Sequence, residues 1–284
     1  MAPLPRGSRA RLVGSGLVGL AGLLLLDRSR RVRRVRAARA RRGEPAPLTV
    51  DSLSVVLPAY NTGAAIADTV AGVRVALGDL LAHPDSQIIV VDDASNEVSG
   101  TREAARASGA TLLTHLVNQG KGAAVRTGLA ASRATAMAFT DGDGAYDPAL
   151  LVEFARALEH ADLVIGVRRR GHDDGRAGLR ALASRLFHLV TRLALVDARE
   201  DTQAGIKMMR ADAAAQFVEL GVVNRFSFDV ELLAIAEARG WVVAEVPVSP
   251  RGTAISTVRV SAQSLGVLGG LLGVALMSRL GLYA

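Results

Sequence analysis

The stretch TDGDGAYDP, from Thr140 to Pro148, sets Asp141, Asp143 and Asp147 close together with Gly142 and Gly144 between them. Carboxylates two residues apart on extended backbone point the same way, so Asp141 and Asp143 suit one shared hard cation, Mg²⁺ or Mn²⁺. A plain Asp-Gly turn is the competing reading. Asp147 stands directly before Pro148 and reads as a helix N-cap. There is no cysteine, which excludes disulfides and thiolate centres and leaves only oxygen or imidazole ligands for a metal. Two more polar clusters close apolar runs: PAYN at 58–61 and DDAS at 92–95. Asp93 and Ser95 could equally shape a turn. Lys121, in NQGKG, is a point charge beside two glycines and suits a phosphate. Only two lysines, Lys121 and Lys207, stand against 32 arginines. His115, His160 and His188 have no paired spacing and read as structural.

These residues must be positioned by the elements around them. Apolar runs at 53–60, 87–94, 110–116, 136–141 and 162–168 alternate with helical patterns from Gly63, Glu97, Gly122 and Pro148. This order predicts an α/β domain with a mostly parallel sheet and helices on both faces. In such sheets ligands lie beyond the carboxyl ends of the strands, where all three polar clusters fall. After residue 175 the spacing predicts a long helix over 178–195, a loop into a strand at 201–210, a helix over 227–240 and a strand at 241–248.

The net charge of +7 is unevenly distributed. Residues 1–42 carry 12 arginines and one acid, Asp27, while 43–284 carry 22 basic and 26 acidic residues. The main domain is therefore slightly acidic, and nucleic acid is not an expected partner. Residues 12–26, LVGSGLVGLAGLLLL, are uncharged and apolar, and an Arg-rich arm follows. The run predicts a membrane-associated helix, spanning or lying at the interface, with the main domain on the cytoplasmic face. Residues 43–52 read as a linker, so three regions are expected: 1–52 as membrane segment, arm and linker; 53–260 as the main domain; 261–284 as an apolar membrane-contacting or docking helix.

SVVLPAYN, IIVVDDAS, NQGKGAAVRTGL and FTDGDGAYDP, in that order, resemble the family 2 glycosyltransferases of GT-A fold. VIGVR, DTQAGIKMMR and FDVELLAIAEARGWVVAEVPV are similar to the polyprenyl-phosphate sugar synthases of that family, including dolichyl-phosphate β-glucosyltransferases and mannose synthases. The resemblance covers about residues 53–260. It implies a Rossmann-like GT-A sheet and a metal-dependent transferase acting on a nucleotide-diphosphate sugar. It places Pro58, Tyr60, Asn61 and Asp92 at the base and ribose, and Asp141 at the nucleotide. Asp143 becomes the more direct metal ligand. Lys121, Gln203, Arg251 and Ser256 fall on the donor side. Arg168 and Arg180 match phosphate-binding arginines for a lipid-phosphate acceptor, and Asp201, opening DTQAG, would orient acceptor or sugar. Arg169 and Arg170 read as solvated. The family's usual pattern DGDGQHDP has a glutamine where this chain has Ala145, and a lysine where it has Thr257. An acid often stands at Thr62.

A lipid monophosphate is already anionic at neutral pH, so it needs cationic groups rather than a base. The expected function is inverting transfer of a hexose from UDP-glucose or GDP-mannose to a polyprenyl or dolichyl-type phosphate. Two alternatives stay open: a hydroxyl acceptor, with Asp201 as base, and a non-catalytic membrane scaffold that binds nucleotide sugar.

Overall fold

A computed structural model describes residues 28–168, 191, 194–197, 204–251 and 262–284. The apolar run 12–26 and the 178–195 helix pattern, apart from residues 191, 194 and 195, lie outside the described residues.

Seven strands form one sheet in the order β3-β2-β1-β4-β6-β5-β7. They are β1 (Leu53–Ala59), β2 (Gln87–Asp92), β3 (Thr111–Thr114), β4 (Ala136–Phe139), β5 (Leu163–Arg168), β6 (Lys207–Arg210) and β7 (Val243–Val248). β1 pairs parallel with β2 and β4, β2 with β3, and β5 with β7. β6 runs antiparallel between β4 and β5, so six strands share one direction. The sheet is thus mixed and mostly parallel. Chain order reverses at β1, which sends β2 and β3 to one side and β4 to the other. That reversal makes the crevice beyond β1 and β4 the natural ligand site.

The helices are α1 (Arg28–Arg42), α2 (Ala65–Leu77), α3 (Thr101–Ala107), α4 (Lys121–Ala131), α5 (Leu150–Leu158), α6 (Ala211–Leu220), α7 (Phe228–Arg239) and α8 (Ala262–Leu280). Alternation along the strands builds a core on each sheet face. Val56, Ile89 and Val91 join the core covered by α4, α6, α7 and α8. Val55, Leu57, Ile88 and Val90 join the core under α2 and α5. Gly128 lets α4 lie tight on β1, since a Cβ there would come within 2.3 Å of Val56 Cγ1.

Both terminal helices pack on α7. In α8, Leu271, Val274, Ala275 and Met277 are buried in the first core, and Tyr283 beyond it donates to Glu231 at 3.0 Å. Among the described residues no helix is long and apolar enough to cross a membrane. In α1, Val35 and Ala38 are buried and Arg31 lies 3.9 Å from Glu237. Arg42 bonds Asp162 at 2.5 Å and Asp212 at 3.0 Å, and Arg39 pairs with Asp197. The sequence alone describes this stretch as an Arg-rich arm following an apolar membrane segment. One face is in fact neutralised by acids of the main domain, while Arg30, Arg33, Arg34, Arg36 and Arg41 remain exposed.

Candidate active site

β1 ends in Pro58-Ala59, and its neighbour β4 extends towards the acid loop by a bond from Thr140 N–H to Val56 O at 3.1 Å. Gly142 brings that loop onto β1: a Cβ there would sit 2.8 Å from Pro58 O. Thr69 Oγ1 of α2 donates to Gly142 O at 3.2 Å and fixes it from behind.

The two acids of the motif occupy different surroundings. Asp141 pairs with Lys121, the first residue of α4. On its other side it lies against Gly205, where a Cβ would come within 2.0 Å of Asp141 Oδ2. Burial works against the Lys121 ammonium, but the carboxylates of Asp141 and Asp229 outweigh it, so its pKa rises. Asp143 is exposed: Oδ1 accepts the Ala145 N–H at 3.1 Å, and Oδ2 has no hydrogen-bond partner among the described residues. Among the described residues no three acids or histidines gather into a metal cage. One free carboxylate beside a paired one therefore suits a divalent cation shared with a ligand's phosphate oxygens, not a cation held by protein alone.

Asp147 is not the N-cap expected of it: Ala149 holds that place without a side-chain cap bond, and Asp147 Oδ1 accepts the Ala149 N–H at 3.0 Å in the turn that leads into α5. Its Oδ2 also meets Arg251 Nη2 at 2.6 Å, and the Arg251 N–H donates to Ala145 O at 2.7 Å. The segment after β7 is thereby brought beside the acid loop.

The Asp-Asp pair after β2 divides its work. Asp92 is fully buried; Oδ1 accepts Ser95 N–H at 3.1 Å and Oδ2 bonds Arg102 Nε at 2.8 Å. Both oxygens are engaged, and a ligand reaching Asp92 would have to displace Arg102 of α3. Asp93 accepts the N–H groups of Gln119 at 2.8 Å and Gly120 at 2.7 Å. His115 bridges Asp93 at 2.7 Å and Thr127 at 3.0 Å. Asp93 thus sets the NQGKG loop that presents Lys121. Gly120 is required there, with φ +103 and a would-be Cβ 2.5 Å from Asn224 O.

At the end of β1, Tyr60 is exposed and Asn61 is left-handed at φ 53. Asn61 N–H donates to Ser95 Oγ at 2.8 Å, and Asn61 Oδ1 accepts Asn96 N–H at 2.9 Å. PAYN and DDAS are therefore one bonded rim. The structure brings Pro58, Tyr60, Asn61, Asp92, Lys121, Asp141, Asp143 and Arg251 to one end of the sheet. Arg168 ends β5, exposed. Arg180, Asp201, Gln203 and Ser256 lie outside the described residues, as do Arg169 and Arg170.

Three residues had no assigned role in the sequence reading. Gly205 cradles Asp141. Arg102 holds Asp92. Lys207, fully buried, bonds Asp229 Oδ1 at 2.5 Å and Ala204 O at 2.8 Å. The sole sequence signal among them was the rarity of lysine.

Residues 54–217 match the family model described as Glycosyl transferase family 2. A dolichyl-phosphate beta-glucosyltransferase of Trichomonas vaginalis is 33% identical over 187 residues, 62% of this chain and 56% of that protein. The Drosophila melanogaster dolichyl-phosphate beta-glucosyltransferase is 30% identical over 214 residues, 69% of this chain and 66% of its own. The chain thus spans somewhat over half to about two thirds of these relatives' lengths. Among solved structures, glucosyl-3-phosphoglycerate synthase from Mycobacterium tuberculosis, in complex with Mn²⁺, UDP and its glucosylated product, superposes with TM-score 0.56 at 23% identity, covering 86% of this chain and 82% of that one. Mannosyl-3-phosphoglycerate synthase from Rubrobacter xylanophilus gives 0.53 at 20% identity, covering 95% and 83%. At such identities the likeness speaks to fold alone, and it agrees with the mixed sheet described above. With well over half its length inside the family model, the chain belongs to glycosyl transferase family 2.

Proposed function

We propose that this protein moves a hexose from UDP-glucose or GDP-mannose to a polyprenyl or dolichyl-type lipid phosphate, with inversion at the anomeric carbon. The observation that carries this reading is the pairing, at the sheet's switch point, of an open Asp143 with the Lys121–Asp141 ion pair. It is supported by the relatives named dolichyl-phosphate beta-glucosyltransferase.

In this reading Tyr60 and Asn61 flank the base and ribose, with Asp92 holding the rim beneath them. Asp143, with Asp141 beside it, would hold Mg²⁺ or Mn²⁺, which when bound offsets charge on the departing diphosphate. Lys121 gives the same diphosphate a fixed positive charge at a partly enclosed site. Arg251 is already beside the acid loop and extends the cationic rim over the donor. The acceptor phosphate needs no proton removed. Arg168 and Arg180 would bind it, and Asp201 and Gln203 would orient acceptor and sugar from the loop before β6. Ser256 belongs to the segment that follows Arg251. Attack by the phosphate oxygen on the face opposite the leaving diphosphate gives a β-linked product. Membrane association through residues 12–26 and the exposed arginines of α1 would keep the enzyme at the bilayer, facing the cytoplasm.

The test is direct. Membranes carrying the protein are incubated with labelled UDP-glucose or GDP-mannose, polyprenyl phosphate, and Mg²⁺ or Mn²⁺. Label should enter the organic phase and vanish with Asp143→Ala and with chelation. No lipid label from either donor would refute the reading.

A further inference from the structure

Both lysines of the chain lie at the same end of the sheet, and each is paired with an aspartate: Lys121 with Asp141, Lys207 with Asp229. Each ammonium also lies over an aromatic ring. Lys121 is 5.9 Å from the Phe228 centroid and Lys207 is 5.5 Å from that of Phe139. The two rings are themselves 5.7 Å apart. Asp229 acts on Lys121 as well, its charge helping to raise the Lys121 pKa. Four alternating charges, Asp141, Lys121, Asp229 and Lys207, therefore run from the open loop into the core.

We propose that Lys207, paired with Asp229, is a positioning residue for the donor diphosphate, acting through the backbone at 204–205 and through Lys121. The inference rests on the nucleotide-sugar reading above. Lys207 Nζ donates to Ala204 O at 2.8 Å, one residue before Gly205. The Gly205 N–H donates to Tyr146 OH at 3.3 Å, inside the acid loop. The Gly205 backbone is packed so closely on Asp141 that a Cβ would overlap its carboxylate. The ammonium under the sheet thus fixes the wall against which Asp141 rests. Through Asp229 it also balances the charge that holds Lys121. An ammonium does this as a compact point donor, where a guanidinium fork would need more room and a planar partner. That matches a chain which otherwise uses arginine for its cations.

A merely structural buried pair would affect melting alone, so the experiment reads both melting and binding. The full chain, purified in detergent, is titrated with UDP and with GDP in the presence of Mn²⁺. Wild type is compared with Lys207→Met, Asp229→Asn and the double variant. Single removal orphans a buried charge and lowers the melting temperature, whereas the double variant recovers much of it. The nucleoside diphosphate affinity should nonetheless stay about tenfold or more below wild type in the double variant, in the range seen when groups supporting a ligand site are removed. Asp229→Asn keeps the side-chain shape and serves as the milder arm, with the same direction of change. Wild-type affinity in Asp229→Asn and in the double variant would overturn the positioning role while leaving the proposed function intact. Wild type that binds neither UDP nor GDP would remove both.

Discussion

Gly205→Ala places the sharpest demand on the site geometry. Gly205 has no positive φ, so alanine fits its backbone and the nearest obstacle is the Asp141 carboxylate. The added Cβ would sit 2.0 Å from Asp141 Oδ2, where ordinary contact begins at 3.4 Å. Something must retreat by more than an ångström. The Gly205 strand end is held by Lys207 through Ala204 O and by Tyr146. Among the described residues, the polar partner of Asp141 is Lys121. The carboxylate therefore moves, and it drags or breaks that pair. A displacement of about 1 Å at a reacting centre costs about 100-fold in rate, or about 2.7 kcal/mol of barrier. Overpacking adds about 1–3 kcal/mol of lost stability. The assay is kcat/KM for the labelled donor, with thermal melting in parallel. Gly269→Ala, inside α8 and meeting no atom within 4 Å, is the control and should leave kcat/KM unchanged and the melting temperature no lower. A Gly205→Ala enzyme that melts like wild type and keeps its kcat/KM would show that the Asp141 position does not matter to turnover.

Four further outcomes are expected. Asp143→Ala should abolish transfer yet leave the melting temperature near wild type, because its exposed carboxylate bonds, among the described residues, the Ala145 N–H alone; parallel activity and calorimetry check this. Gly128→Ala should destabilise by about 1–3 kcal/mol in denaturant titration, since its Cβ would press into Val56 at 2.3 Å between α4 and β1. Arg42→Ala should lower the melting temperature and speed proteolysis after α1, because fully buried Asp162 loses its cation and keeps the Val242 N–H at 2.8 Å. Burial raises the Glu231 carboxyl above its ordinary 4.5 despite the Val222 and Val223 N–H bonds. Such a group binds its proton more tightly folded than unfolded, so it favours the fold at low pH and that benefit is lost as pH rises from about 4.5 through the folded value. Glu231→Gln should therefore flatten the fall in melting temperature as pH rises above about 4.5; an unchanged slope would refute the assignment.

The alternation of strands and helices was legible because both faces of the sheet are covered and the strands read as apolar runs between turn residues. Two helices were not read. Residues 211–220 follow β6 without a Gly or Pro break, so nothing punctuates the passage from strand to helix, although Ala213, Ala214, Phe217 and Leu220 fall on one buried face. Residues 28–42 hold nine arginines, which in isolation describe a solvated arm. The helix docks because Glu237, Asp162, Asp197 and Asp212, all distant in sequence, converge on one face of it. Local pattern carries no record of partners supplied by tertiary folding.

The site divides along the same line. Asp141, Asp143 and Lys121 were readable because their types, after strands and beside glycines, already name a chemistry. Asp92 and Asp93 were told apart only by the family resemblance, since two adjacent identical residues give by themselves no hint of which one faces a ligand. The fold separates them by direction: successive side chains leave a strand end on opposite sides. Asp92 turns towards α3 and is closed by Arg102, and Asp93 turns towards α4 and ties down the loop of Lys121. The second aspartate thereby governs the placement of Lys121 through the loop that precedes it. Asp93→Asn should accordingly weaken donor binding through Lys121, because an amide cannot accept from both Gln119 and Gly120 with two oxygens as the carboxylate does.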